Sequence, residues 1–185
     1  IPETCPACGG ATRIQMMNNV ETLYCTNPER PAKFMKAFTL FVSRDAMNID
    51  GMSEATLEKF VGHGFIREFA EIFRLARYRD EIVVMDGFGE KSYQNLIDSI
   101  ERAKNTTLPR LIFGLGILNI GLANARMICK AFDFDLDRIR NASAEDFAQI
   151  DGVGEVIAKS IVDYFADEEN KERLERILSY LAIET

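Results

Sequence analysis

The sequence predicts a mainly helical fold, in which a small β-hairpin finger precedes four tandem units of helix, tight hairpin and helix. The first observation behind this prediction is a turn signature that recurs at steps of roughly 32 to 36 residues, a period typical of repeated supersecondary units. The second is a change near residue 33 from alternating to helical spacing of the apolar residues. The four turns are Asp50–Ser53, Asp86–Gly89, Leu118–Gly121 and Asp151–Gly154.

The first 33 residues are predicted to form a separate Cys-rich domain, the finger. Apolar and polar residues alternate from Thr12 to Tyr24, which is the pattern of a β-hairpin. Cysteines and prolines flank this stretch on both sides, and two glycines precede it. We therefore expect a small zinc-ribbon-like finger over residues 1–33 and one helical domain over residues 34–185.

From Phe34 onward the apolar residues are spaced as in helices. Phe34, Phe38 and Phe41 share one helix face because they follow one another at intervals of three or four residues. Ser143–Asp146 resembles a capping box, with aspartate in place of the usual glutamate. The acidic segment 133–137 is expected to be a solvated connector. The predicted helices cover 54–61, 66–78, 90–104, 109–114, 122–131, 143–149, 155–166 and 168–181.

The glycines of the turns indicate phosphate binding. A Gly-x-Gly turn leaves backbone N–H groups uncovered at the start of the next helix, where the helix dipole also favours an anion. Turns two and four keep both glycines, and a lysine follows each of them closely, so we expect the best phosphate sites there. The candidate DNA-binding residues are Gly51, Gly87, Gly89, Lys91, Gly121, Gly152, Gly154 and Lys159.

Turns one and three are altered. Ser53 replaces the second glycine of turn one, and Asn119 replaces the first glycine of turn three. Serine and asparagine are well tolerated at caps and turns, so we expect both turns to form, with weaker or differently shaped anion sites. The alternative is that the glycines serve only tight helix packing, but four copies at one period favour phosphate binding. Other basic residues are expected to be solvated: Arg44, Lys104, Arg110, Arg126 and Lys130.

Three cysteines, Cys5, Cys8 and Cys25, have the spacing of a zinc finger. A Cys-x-x-Cys turn presents two thiolates to one ion, and structural zinc sites have four protein ligands. The expected fourth position holds Arg30, which cannot bind a metal. Three interpretations stay open: zinc on three thiolates with a substitute fourth ligand, a finger that has lost its metal and keeps free thiols, and a disulfide between the first two cysteines.

Composition and charge bound the function. The chain has 185 residues, 47% of them hydrophobic, and no apolar stretch long enough to span a bilayer, so we expect a soluble, cytoplasmic and monomeric protein. The net charge of −7 comes from residues 133–185, which carry 6 basic and 14 acidic side chains. The rest is nearly balanced, which leaves phosphate binding open. Because the chain begins at Ile1, we expect it to be part of a longer protein.

Seven segments of the sequence match one family, in the same order along the chain. They are Cys5–Gly10, Cys25–Pro28, Phe41–Gly51, Gly87–Ser92, Leu108–Leu111, Gly114–Ile117 and Gly152–Glu155. In these motifs the sequence resembles the bacterial NAD-dependent DNA ligases. The resemblance covers essentially the whole chain, which makes it far more specific than any single motif.

The resemblance implies a four-cysteine zinc finger followed by a helix-hairpin-helix domain of four motifs. Such a domain grips the minor groove of nicked double-stranded DNA, largely through backbone amides on phosphates. The partners implied are nicked duplex DNA and the remaining domains of the parent ligase. Two departures from the family pattern stand out. Arg30 occupies the place of the fourth cysteine, and Leu57 and Tyr93 occupy places where such motifs usually have a small residue.

The resemblance also implies that the chemistry lies outside this chain. The family carries its adenylated lysine in a Lys-x-Asp-Gly motif, and no Asp-Gly of this sequence has a lysine two residues before it. NAD and Mg are therefore expected to bind elsewhere in the parent enzyme, and the chain alone is expected to be inactive. Its role is to hold nicked DNA without sequence preference during ligation in replication and repair.

Two other classes of function were weighed. A helix-hairpin-helix module of another repair or recombination protein shares the turns but has no reason to carry the finger. A helical scaffold for protein partners has a similar period, but the glycine turns and the absence of a tetratricopeptide pattern count against it.

Overall fold

A computed structural model describes residues 12–17, 20–25 and 30–184 of the chain. The chain divides into two units, Ile1–Phe38 and Thr39–Thr185. In the first unit, strands β1 (Thr12–Met17) and β2 (Val20–Cys25) pair antiparallel. Cys5 and Cys8 lie outside the described residues, as does the side chain of Cys25, so the finger and its zinc stay predictions.

The mainly helical fold predicted from the sequence is confirmed. Most predicted helices match the observed ones to within about two residues, and the Ser143–Asp146 capping box is formed. The α-helices are α1 (Arg30–Val42), α2 (Glu54–Gly62), α3 (Arg79–Ile82), α4 (Glu90–Ala103), α5 (Leu108–Gly114), α6 (Leu122–Ala131), α7 (Leu136–Asn141), α8 (Ala144–Ala148), α9 (Glu155–Ala166) and α10 (Glu168–Leu178).

The predicted helix 66–78 is instead a 3₁₀ helix, Phe69–Tyr78, that leads into α3. Side chains three residues apart line up along a 3₁₀ helix. Phe69, Ile72, Leu75 and Tyr78 have this spacing, and Ile72 and Leu75 are completely buried. The three-residue period explains why the tighter helix buries this segment well.

The connector predicted at 133–137 is wrong in its second half, because α7 begins at Leu136. Asp133 and Phe134 have left-handed backbone angles, with φ of 55° and 58°, and they reverse the chain. Asp135 then caps α7, since its carboxylate accepts hydrogen bonds from the backbone N–H groups of Asp137 and Arg138. The alternating aspartates are therefore turn and cap residues.

A short parallel sheet joins the end of the chain to its middle. Strand β3 (Asn105–Thr107) follows α4, and strand β4 (Ala182–Glu184) follows α10. Thr106 pairs with Ile183, and the Ala182 N–H donates to the Lys104 carbonyl at 2.6 Å. The helix predicted at 168–181 consequently ends at Leu178.

The core of the second unit is built from aliphatic and aromatic side chains. Phe41 stacks on Phe69 with ring centroids 4.3 Å apart. Leu57 and Tyr93, the two departures from the small-residue pattern, are both buried. The larger side chains at these positions therefore contribute to the core.

Leu111→Ala should lower the free energy of unfolding by about 2–5 kcal/mol, because it removes a fully buried side chain and leaves a cavity. Leu118→Ala is the matched control, since Leu118 is 73% exposed, and its effect should stay within about 0.5 kcal/mol. Urea unfolding followed by circular dichroism measures both. Equal losses for the two variants would contradict the burial assigned to α5.

Candidate nucleic-acid interface

The four turns reverse the chain in the same way. Gly51, Gly87, Asn119 and Gly152 have left-handed φ angles of 83°, 82°, 67° and 88°. This region is open to glycine and is entered by asparagine more often than by most other residues. The equivalence of the four residues predicted from the period is therefore confirmed in the backbone, including the asparagine of turn three.

Two residues further on, each turn places an extended residue at the N-cap of a helix. Ser53, Gly89, Gly121 and Gly154 cap α2, α4, α6 and α9 in that order. Each cap carbonyl accepts the first backbone hydrogen bond of its helix, at 2.9–3.0 Å. The four helices thus begin with one common geometry.

The capping side chains separate the first turn from the other three. Ser53 accepts a hydrogen bond from the Thr56 N–H at 3.3 Å, so α2 caps itself. Gly89, Gly121 and Gly154 supply no side-chain cap. Because the first backbone N–H groups of a helix have no partner within the helix, those of α4, α6 and α9 remain available to a ligand.

Neither packing nor backbone conformation requires glycine at these three caps. A Cβ atom added to Gly89, Gly121 or Gly154 would meet no atom of the described residues within 4 Å. Their φ angles, −167°, −89° and −85°, are open to any residue. The explanation that the glycines serve only tight helix packing therefore does not fit these three caps, because the position of a Cβ atom on each of them is open.

The turns form two pairs by mutual contact. In the first pair, a Cβ on Gly51 would lie 3.7 Å from Leu96 of α4, while Lys59 of α2 donates from Nζ to the Asp86 carbonyl at 2.9 Å. Each hairpin of this pair therefore contacts the helix that follows the other hairpin, at the second helical turn.

The second pair repeats this arrangement with other side chains. Asn119 Nδ2 donates to Ser160 Oγ of α9 at 3.4 Å, and Gly152 lies against Met127 of α6. A Cβ on Gly152 would stand 3.3 Å from the Met127 Cε atom, a tight contact. Turn four therefore needs its glycine for the left-handed angle, whereas the Met127 side chain is flexible enough to relieve this contact.

Carboxylates accompany three of the four helix starts. The first helical residue is Glu54 in α2, Glu90 in α4 and Glu155 in α9, but Leu122 in α6. An aspartate also precedes the left-handed residue of turns one, two and four, whereas Leu118 stands there in turn three. The start of α6 is therefore the one without acidic neighbours in the turn, which favours an anionic ligand.

The basic residues of the acidic last quarter are all engaged in ion pairs. Lys159, one of the candidate DNA-binding residues, is held by Asp163 at 3.0 Å, one turn later on α9. Its charge is therefore shared within the helix. The other pairs in this part of the chain are Arg138–Asp133, Arg140 with Asp137 and Glu175, Lys171–Glu168, Arg173–Glu169 and Arg176–Glu68.

Cations without a carboxylate partner lie near turns two and three. Within the described residues, Lys91 in the first turn of α4 and Arg126 in the second turn of α6 form no ion pair, and neither does Lys130 at the far end of α6. Arg126 is the fifth residue of α6, the position that Lys159 holds in α9. From the sequence alone, Arg126 is expected to be an ordinary surface charge. Its equivalence to Lys159 becomes visible when α6 and α9 are aligned at their N-caps. Arg126 and Arg110 line one surface cavity of about 390 Å³.

The described part of the chain contains no set of side chains that could bind a metal ion together: no group of three or more His, Cys, Asp or Glu side chains could hold one. Cys129 is buried, and burial raises the pKa of its thiol to about 12. His63 stacks on Phe65 with ring centroids 5.2 Å apart.

Among the residues that the structure describes, no helix combines the length and apolar character that crossing a membrane requires.

Two family models match the chain. One, described as a SAM-like helix-hairpin-helix tandem, matches residues 43–102, and the other, described as a helix-hairpin-helix motif, matches residues 110–174. The first range contains turns one and two and the second contains turns three and four. The two matches therefore coincide with the two pairs that the turn contacts define.

The chain is also similar to proteins named DNA ligase. It is 50% identical over 184 residues to one from Lachnoclostridium phytofermentans and 47% identical over 184 residues to one from Ruminiclostridium cellulolyticum. These alignments cover 100% of the chain and 28% of each relative. A DNA ligase from Anoxybacillus flavithermus is 38% identical over 180 residues, which are 97% of the chain and 26% of that relative.

The chain thus spans about a quarter of the length of the curated relatives it matches. The resemblance inferred from the sequence motifs is confirmed as a similarity that extends over the whole chain. Along its entire length, the chain is homologous to a segment of proteins named DNA ligase and contains helix-hairpin-helix motifs at its four turns.

Proposed function

We propose that this chain is the DNA-binding region of an NAD-dependent DNA ligase. It grips nicked duplex DNA through backbone phosphates, without sequence preference, while the parent enzyme seals the nick. The observation that carries the proposal is the set of three helix starts without a side-chain cap, at Gly89, Gly121 and Gly154, where no atom of the described residues lies within 4 Å of a Cβ position. The similarity of the whole chain to proteins named DNA ligase supports it.

The chemistry of these helix starts suits a phosphate. Free N–H groups at a helix start point toward the ligand, and the helix dipole adds partial positive charge at the same place. The missing Cβ of a glycine cap lets the phosphate oxygens reach those N–H groups. Because phosphates are the same at every base step, such contacts position the duplex and carry no sequence information.

The structure supports a different ranking of the hairpins from the one that the sequence suggests. Turns two, three and four share a helix start with a glycine N-cap. Turn three combines it with the absence of a carboxylate from the turn itself and with Arg126 on the same helix. Turn one is capped by Ser53. We place DNA phosphates at Gly87, Gly89 and Lys91, at Gly121 and Arg126, and more weakly at Gly152, Gly154 and Lys159, with Gly51 in a structural role.

The catalytic steps belong to the rest of the parent enzyme. We propose that nucleotide binding, lysine adenylation and the NAD and Mg sites lie in the remaining three quarters of the protein, since no Lys-x-Asp-Gly motif occurs in this chain. The partners are then nicked double-stranded DNA and those other domains. Ligation would serve DNA replication and repair, and the chain alone would be inactive.

The isolated chain should bind a nicked duplex with an affinity that falls as salt is added, because phosphate contacts release condensed counterions. Fluorescence anisotropy over a salt series measures this, with two duplexes of unrelated sequence as the test of sequence preference. Equal affinity for both sequences is expected. No binding at low ionic strength, or binding insensitive to salt, would contradict the proposal.

Gly89→Val, Gly121→Val and Gly154→Val should each weaken duplex binding, and Ser53→Ala should not. A valine side chain at the N-cap covers the first N–H groups of the helix and so blocks their contact with a phosphate. Losing one charge-assisted hydrogen bond costs about 1.5 kcal/mol, or roughly tenfold in affinity. Ser53 is the matched control because it caps the equivalent position of α2.

Circular dichroism shows whether each variant folds, and the φ angles at the three glycines are open to valine. Equal affinity losses for all four folded variants would contradict the assignment of the phosphate contacts to the glycine-capped helices.

A further inference from the structure

A carboxylate stands beside the phosphate site that we propose at α4. Glu90 is the first residue of α4 and follows the glycine cap directly. A negative side chain in the first turn of a helix interacts with the same partial positive charge that would attract a phosphate. Without a positively charged partner, Glu90 would therefore repel a DNA phosphate from the first backbone N–H groups of α4.

Arg79 holds this carboxylate. Its Nη2 atom lies 2.6 Å from Oε1 and 2.7 Å from Oε2 of Glu90, so one nitrogen contacts both oxygens. The guanidinium group also lies over the ring of Tyr93, with Cζ 5.8 Å from the ring centroid. Because Tyr93 is buried, its ring is a fixed surface that favours one orientation of the arginine.

The equivalent carboxylate of α9 has no such partner. Glu155 follows Gly154 as Glu90 follows Gly89, but among the described residues it forms no ion pair. The nearest cation along its helix, Lys159, is paired with Asp163. Two helix starts of the same sequence pattern therefore differ in charge.

We propose that Arg79 is a positioning residue for DNA binding, which acts by neutralising Glu90 so that a DNA phosphate can approach the first amides of α4. The unpaired Glu155 correspondingly makes the start of α9 the weaker phosphate site. This inference rests on the proposed function, because it concerns how tightly the same helix starts hold a duplex.

Arg79→Ala should weaken binding of a nicked duplex about two- to fivefold, the range expected for one charge near a helix terminus. Arg79→Lys should keep most of the affinity because it keeps the positive charge. The decisive variant is the double substitution of Arg79→Ala with Glu90→Gln, which should restore the wild-type affinity, since no carboxylate then stands at the start of α4. Asp80, the other carboxylate that Arg79 contacts, at 3.4 Å, lies on α3 and keeps its charge in both variants. Glu155→Gln should raise the affinity by a similar factor.

Arg77 provides a matched control. It pairs with Glu71 at 3.7 Å, lies over the ring of Tyr78 at 5.0 Å and is as exposed as Arg79, with 47% against 46% of its side chain accessible. Arg77→Ala removes the same charge but frees Glu71, a carboxylate on the 3₁₀ helix that does not follow a glycine cap. Its effect on duplex affinity should be clearly smaller than that of Arg79→Ala.

All variants are compared by anisotropy at one low salt concentration, with circular dichroism as the folding check. If the double variant binds as weakly as Arg79→Ala, Arg79 contacts DNA itself and the inference is wrong. If Arg77→Ala loses as much affinity as Arg79→Ala, only net charge matters and the inference is again wrong. Failure of the proposed function is distinguishable, because the wild-type chain would then not bind the duplex at all.

Discussion

The structure depends on how each hairpin passes from one helix to the next. One left-handed residue reverses the chain, and two residues later an extended residue starts a new helix. A helix start leaves N–H groups without a partner, and water or a ligand must satisfy them. Where the N-cap residue is glycine, there is no side chain that could accept a hydrogen bond from these N–H groups. The same turn that folds the unit therefore also creates the anion-binding site that we propose.

Pairing of the hairpins holds these sites in fixed positions. Lys59 reaches the Asp86 carbonyl in the first pair, and Asn119 reaches Ser160 in the second, so each turn is supported by its partner's helix. The short sheet of β3 and β4 ties the end of the chain to the segment between the pairs. A protein that holds the DNA backbone through several phosphates at once needs such rigidity. Ordering a flexible binding site during association costs free energy and lowers the affinity.

Much of this architecture could be predicted from the sequence, because local patterns determine it. The repeat period of the turn signature identified all four residues that have left-handed φ angles. Asn119 fits the pattern because asparagine tolerates that conformation. The pairing of β3 with β4 joins residues far apart in sequence, which no local pattern reveals. The ion pairs at the proposed phosphate sites were harder to predict. Whether Lys159 is available to DNA depends on Asp163, and whether Glu90 would repel DNA depends on Arg79.

We propose that backbone N–H groups at three helix starts hold DNA phosphates. Amide chemical shifts of the ¹⁵N-labelled chain, recorded during titration with a nicked duplex, test it directly. The largest changes should fall on residues 90–92, 122–124 and 155–157, and residues 54–56 at the serine-capped start should change little. Changes spread over the acidic helix α10, or as large at residues 54–56 as at the glycine-capped starts, would contradict the claim.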